Sequence, residues 1–225
     1  MSGVFHAICK ALNLRIEESW EQTSPRQTRC NVFLQQHSQF DLKCFGSDFR
    51  GLHLVRDPRD MLVSATFYHR HSDEPWLHTP RESLGGLSYR QKIETLQNFD
   101  EELSYSMNLM WTDLQRIRNF NYADVRFRTL HYEHLIADRQ LNIFEDLFHF
   151  LGFHSRVIDT CLVNAYRNCL FSSPPKSAHV RSGEPKQWPH FFKPIHKEQF
   201  TKFFGDILQK SGYEENWDLV QIKSE

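Results

Sequence analysis

Gly51 to Val55 (GLHLV) is a short run of strand-forming residues that passes straight into Arg56-Asp57-Pro58, and few local structures accommodate that join. Aspartate caps helices well and the fixed φ of proline suits a first helical turn, so Met61 to Tyr68 is expected to be helical. The segment reads as strand, tight turn, helix. Such a turn brings an arginine to a helix N-terminus, where a guanidinium, exposed amides and the helix dipole all favour negative charge, making Arg56 a candidate ligand for phosphate. The alternative is that Arg56 pairs with Asp57 or Asp60 and that Ser64 only fills a helix face.

Strand and helix signals alternate along the rest of the chain. Val4, Phe5, Ile8, Ala11 and Leu12 have helical spacing, so a helix begins almost at the first residue, and residues 31–36 (NVFLQQ) read as a strand. Ser72 to Gly86 reads as a loop, with Pro75, Pro80 and the Gly85-Gly86 pair, and the apolar stripe from Ile93 to Ile117 predicts one bent helix or two. Asp124 to Leu130 predicts a strand, and helices are expected over residues 141–151, stopped by Gly152, over 157–168 and over 195–210. This alternation predicts an α/β fold of three layers, a mainly parallel sheet flanked by helices, with ligands at the carboxyl ends of the strands. No repeat or long linker interrupts it, so residues 1–225 are expected to form a single domain.

Composition narrows the function. Hydrophobic residues make up 40% of the chain and include 19 Phe, enough for a packed core. With 27 Lys and Arg against 28 Asp and Glu, no global field draws the protein to nucleic acid, and any anion site must be local. Cys9, Cys30, Cys44, Cys161 and Cys169 are odd in number and lack C-x-x-C spacing, which argues against a disulfide framework or a zinc site. A reducing, cytoplasmic setting is expected, with no metal, and no apolar run has the length of a membrane span. The first residues lack the build of a signal peptide.

Arg56, Asp57, Pro58, Asp60 and Ser64 together resemble the 3′-phosphate motif of the sulfotransferases that use 3′-phosphoadenosine 5′-phosphosulfate (PAPS), an R-D/N-P-x-D turn followed by a serine eight residues past the arginine. By that resemblance Arg56 and Ser64 hold the 3′-phosphate. Val180-Arg181-Ser182-Gly183, with Trp188 and Phe191-Phe192 beyond, is similar to the family's R-K-G-x-x-G-D-W segment, whose arginine and amides close over the same phosphate. Arg181, Ser182 and Gly183 are thereby implied as cofactor-binding. The family's lysine is Ser182 here, and its G-D pair is Lys186-Gln187. Loss of one charged contact weakens binding by about 1.5 to 3 kcal/mol unless a residue such as Lys186 or Lys176 replaces it. A solvated basic loop is the competing reading of this stretch.

Tyr132-Glu133-His134-Leu135 and Phe150-Leu151-Gly152 resemble the family's Y-E-D-L strand end and F-L-G helix end, which implies Tyr132 as an adenine contact beside its other reading, a core tyrosine. Phe171, Ser172 and Ser173 are weaker candidates for the same pocket. His37 resembles the histidine of the family's K-x-H segment, with Gln35 in place of the lysine, and imidazole suits a base for the acceptor proton. A surface histidine is the other reading. His53, His69 and His71 follow as weaker candidates.

The resemblance departs at the 5′-phosphosulfate loop, built in the family as K-S/T-G-S/T-S/T or R-S/T-G-S/T-T. Only Ser2 and Gly3 match, so the basic residue and the strand before it would lie upstream of Met1 and the fold is expected to lack or alter its first strand. Either the chain is part of a longer protein, favoured because a missing central strand leaves neighbours unpaired, or it descends from an active enzyme and has lost transfer. A lost preorganised donor costs about 2.7 to 4 kcal/mol of transition-state stabilisation. The resemblance implies sulfuryl transfer from PAPS to a small-molecule or glycan acceptor. A protein that keeps the nucleotide and not the chemistry is the alternative. No G-x-x-x-x-G-K-S/T supports a kinase.

Overall fold

The Val4, Phe5 and Ile8 stripe folds as α1 (Ser2–Leu12), which buries those residues with Cys9 and ends at Asn13 in the left-handed conformation. The computed structural model describes residues 1–20, 30–37, 39–46, 48–169 and 183–217. Two strands follow, β1 (Ile16–Ser19) and β2 (Val32–Gln35), then β3 (Gly51–Val55). The expected strands match β2 and β3. β1 has no counterpart among them, because Ile-Glu-Glu-Ser carries no apolar alternation and its pairing with β2 supplies what the local sequence lacks.

Asp57 accepts a hydrogen bond from the Arg59 N–H and Pro58 opens α2 (Pro58–His71), as the sequence predicts. The expected loop contains a short helix with proline in its first turn, α3 (Pro75–His78), and a turn of 3-10 helix over Glu82–Leu84. The long stripe resolves into α4 (Tyr89–Glu94), α5 (Phe99–Leu109) and α6 (Trp111–Asn119). Asn98 caps α5 through the Glu101 N–H. β4 (Phe127–His131) starts later than expected because Asp124 binds both the main chain and the guanidinium of Arg126 and holds a local turn there.

Next come α7 (Tyr132–Ala137), α8 (Asn142–Phe150) and α9 (Ile158–Asn168). The closing helix is two pieces, α10 (Pro194–Phe204) and α11 (Ile207–Lys210), split at Gly205. Its φ of 54° and ψ of −117° are open to glycine and strained for other residues.

Strand pairing is parallel, as expected of an α/β fold, and is distributed over two small sheets, β1 with β2 and β3 with β4. In the second, Gly51 lies opposite Phe127, and a Cβ on residue 51 would sit 2.3 Å from the Phe127 ring. Only glycine lets that ring cover the strand.

The elements gather into two units, each made of two stretches of chain. One is Met1–Val55 with Asn121–Lys176, and the other is Arg56–Phe120 with Ser177–Glu225. The first contains the four strands with α1, α7, α8 and α9, and its core holds Val4, Ile8, Leu130, Leu147, Phe148 and Cys161. Burial of each larger apolar side chain contributes about 1.5 to 3 kcal/mol. In the second unit the described residues are helical or irregular. There α2 packs on α5 and α10 on α5 and α6, burying Leu62, Leu103, Met107, Leu114, Phe200 and Phe204. Thr66 of α2 donates its hydroxyl to Leu62 O at 2.9 Å and lies at the same distance from the Ser106 hydroxyl of α5.

Candidate functional site

The start of α2 is built on two buried aspartates. Asp57 receives a two-pronged bond from Arg59, Nε to Oδ1 at 3.0 Å and Nη2 to Oδ2 at 2.7 Å. The Arg59 guanidinium also stacks 3.8 Å from the Trp188 ring centroid and donates to the Glu214 carbonyl at 3.0 Å. This arginine is 3% exposed and faces inward, so its place is structural.

Asp60 lies one helical turn on and is 1% exposed. Its Oδ2 accepts the Lys186 N–H at 2.6 Å, and its Oδ1 accepts those of Gln187 at 2.9 Å and Trp188 at 2.8 Å. Burial pushes the carboxyl above its ordinary range, with the nearby Asp57 adding to the rise and Trp188 N–H, Arg56 and Lys186 N–H opposing it. Arg56 reaches the same segment, its Nη2 donating to the Glu184 carbonyl at 3.2 Å. The Gln187 side-chain amide donates to that carbonyl at 2.7 Å. Between Arg56 and Asp60 the closest approach is 4.0 Å, too long for a hydrogen bond.

Residues 184–188 therefore fold onto the start of α2, and the two motifs read separately in the sequence come together. Gly183 enters the segment at φ 68°, a left-handed value natural to glycine. Lys186, where the resemblance puts the motif's second glycine, has a left-handed backbone at φ 57°. A non-glycine residue there costs about 1 to 2 kcal/mol. Trp188 is buried and begins a turn of 3-10 helix.

Ser64 lies half-buried one turn beyond Asp60 on α2. Arg181 and Ser182 lie outside the described residues, as do Lys176 and the Phe171, Ser172 and Ser173 group.

The other candidates belong to the strand-bearing unit. Ser2 and Gly3 open α1, and the Ser2 hydroxyl donates to Glu18 Oε1 of β1 at 3.0 Å. Glu18 also meets His6 Nε2 at 2.8 Å and accepts from the Gln36 amide. Burial raises its carboxyl, but the bonds from His6, Ser2 and Gln36 outweigh that and hold it below the usual carboxylate range. Around Gly3 there is room, because a Cβ would meet nothing nearer than Asn168 Oδ1 at 4.0 Å.

His37 is exposed in the turn after β2, its N–H bonded to the Gln35 side chain at 2.7 Å and its ring 5.9 Å from that of Trp20. Tyr132 is half-buried at the first position of α7. Of the weaker histidines, His53 and His69 are buried and pushed down to about 4, which leaves them poor proton acceptors near neutral pH. His71 is exposed at the end of α2.

Two participants were missed from sequence. The sequence offers Asp60 as a motif member or a partner for Arg56, and nothing local announces that its main-chain donors lie more than 120 residues away. Glu18 sits in the unrecognised strand β1, where no pattern draws attention to it.

The family model for the sulfotransferase domain matches residues 12–212, so the chain belongs to the sulfotransferase domain family. No match was found among curated proteins. Among the described residues no helix is long and apolar enough to cross a membrane, and no cluster of three or more His, Cys, Asp or Glu is arranged to hold a metal ion.

Proposed function

We propose that this chain binds PAPS and transfers its sulfuryl group to a hydroxyl or amine acceptor. Arg56, Ser64, Gly183 and the adjoining Arg181 and Ser182 hold the 3′-phosphate in this reading. The observation that carries it is the convergence of Arg56 and Asp60 on residues 184–188, which joins the two family motifs assigned to one phosphate. By resemblance, Tyr132 serves the adenine, Ser2 and Gly3 the phosphosulfate, and His37 the acceptor proton. The open space at Gly3 supports close approach of a ligand to the α1 backbone.

The reaction is an in-line displacement. The acceptor oxygen or nitrogen attacks sulfur, the bond from sulfur to the 5′-phosphate oxygen breaks, and adenosine 3′,5′-bisphosphate leaves while the acceptor proton passes to His37. The catalytic contribution is positioning and stabilisation of charge on the leaving oxygen, as in phosphoryl transfer.

A second reading is a bisphosphate-binding protein without transfer. It is favoured by Glu18, whose carboxylate takes the Ser2 hydroxyl and sets negative charge beside the one hydroxyl the resemblance gives to the phosphosulfate. Two measurements decide. Adenosine 3′,5′-bisphosphate at 100 times its Kd stabilises a binder by about 2.7 kcal/mol, and Arg56→Ala should abolish the thermal shift while circular dichroism stays unchanged. A larger shift with ATP than with the bisphosphate would redirect the reading to a kinase. Labelled sulfate passing from PAPS to a panel of phenols, alcohols and glycans then separates enzyme from binder.

A further inference from the structure

We propose that Asp60 is the positioning residue of the 3′-phosphate site: a buried carboxylate that touches no ligand and folds residues 184–188 against Arg56 before the nucleotide arrives. The proposal rests on the reading of this site given above. Three successive main-chain N–H groups, those of Lys186, Gln187 and Trp188, converge on its two oxygens. Successive amides turned to one point form an anion-binding concavity, and here the anion is supplied by the protein itself. The segment is thus shaped by an internal charge.

Two further features fit this role. Lys186 holds a left-handed backbone that its side chain disfavours, and its N–H makes the shortest of the three bonds to Asp60. The carboxylate therefore secures a turn that glycine would adopt unaided. Arg56 donates to Glu184 O of the segment that Asp60 holds and approaches the same Oδ2 at 4.0 Å, so the carboxylate attracts the guanidinium and places the carbonyl that it binds. A site arranged in advance binds without the added cost of ordering a loop.

The test compares two probes, adenosine 3′,5′-bisphosphate and adenosine 5′-monophosphate, whose affinity ratio measures what the 3′-phosphate contributes. Asp60→Asn keeps the shape, removes the charge and cannot satisfy all three N–H groups. It should cut that ratio at least tenfold and leave monophosphate binding within twofold. A merely structural lesion weakens both nucleotides alike, and that result overturns the proposal. In the Asp60→Asn background, Lys186→Gly should restore part of the ratio, because the turn no longer needs to be held. Should Asp60→Asn fail to fold, hydrogen exchange on the unaltered, ligand-free chain decides: protected Lys186, Gln187 and Trp188 amides are expected, and fast exchange at all three overturns the proposal. An unaltered chain that binds neither nucleotide defeats the reading of the site and this inference with it. If the unaltered chain shows the 3′-phosphate preference and Asp60→Asn retains it in full, only this inference fails.

Discussion

The Asp60 carboxylate holds the Trp188 main-chain N–H at 2.8 Å across a separation of 128 residues. One residue belongs to the first turn of α2 and the other to the C-terminal stretch, so a single buried charge ties together the two stretches of chain that make up the helical unit. Hydrogen bonds to an ionised acceptor are worth about 1.5 to 3 kcal/mol each, more than bonds between neutral groups. The link joins family membership to local chemistry, because both partners fall inside recognised motifs.

Arg59 and Asp57 form a buried pair on the other side of the same turn. Arg59→Met removes the fork and leaves a carboxylate in a dry setting, which should destabilise the protein by about 3 to 5 kcal/mol. Urea denaturation of Arg59→Met and of Arg59→Met with Asp57→Asn checks this. The double variant should recover part of the loss, since it no longer buries a carboxylate that has lost its guanidinium.

Gly51→Ala places a methyl group 2.3 Å from the Phe127 ring as it now stands. The overpacking should cost about 1 to 3 kcal/mol. Addition of Phe127→Leu should relieve the clash, so the two substitutions should be non-additive in thermal denaturation, with the pair less damaging than the sum.

Acid should weaken the fold well above the range in which carboxylates titrate. His53 and His69 are held at about 4 by burial, against 6.5 in the unfolded chain. The unfolded state therefore takes up protons first, and stability falls as pH drops from about 6.5 towards 4, by up to about 3 kcal/mol for each histidine. Denaturation midpoints measured between pH 7.5 and 4.5 should show the slope, and His69→Gln should reduce it.

Glu18 gives a second, lower window. Its carboxyl is held below 4.5, so the stability it contributes is present above that value and is lost as pH falls through the depressed one. Glu18→Gln should flatten the profile below about pH 4.5 and leave the histidine slope in place. Identical acid limbs for the two proteins would contradict the three-donor arrangement around Glu18.

His37→Ala should slow sulfate transfer by about two to four decades, the range of a general base, without changing the thermal shift given by adenosine 3′,5′-bisphosphate. Loss of nucleotide binding in that variant would count against its role as base.

What was legible in the sequence was local. Val55-Arg56-Asp57-Pro58 declares its strand end, cap and first helical turn within a few residues, and the structure has them in place. β1 was hidden because Glu17 and Glu18 break any apolar pattern, and its strand state depends on a neighbour later in the chain. The breaks near Thr95 and at Met110 were hidden because the buried stripe runs through them, from Ile93 to Leu103, Met107 and Leu114. Gly205 could have signalled a break, since its backbone conformation disfavours any other residue. At the site, Arg56 was visible and its grip on Glu184 was not, because a contact to a main-chain carbonyl leaves no mark on side-chain pattern.

The helical unit is assembled from residues 56–120 and 177–225, so neither stretch contains a finished unit. A premature stop after α9 would therefore do more than shorten the chain. It would strip Asp60 of its three donors and Arg59 of the Trp188 and Trp217 rings at one stroke, exposing a buried carboxylate and an apolar helix face together. Such a fragment should be insoluble or rapidly degraded, and adding the missing C-terminal peptide in trans is the direct way to rescue it.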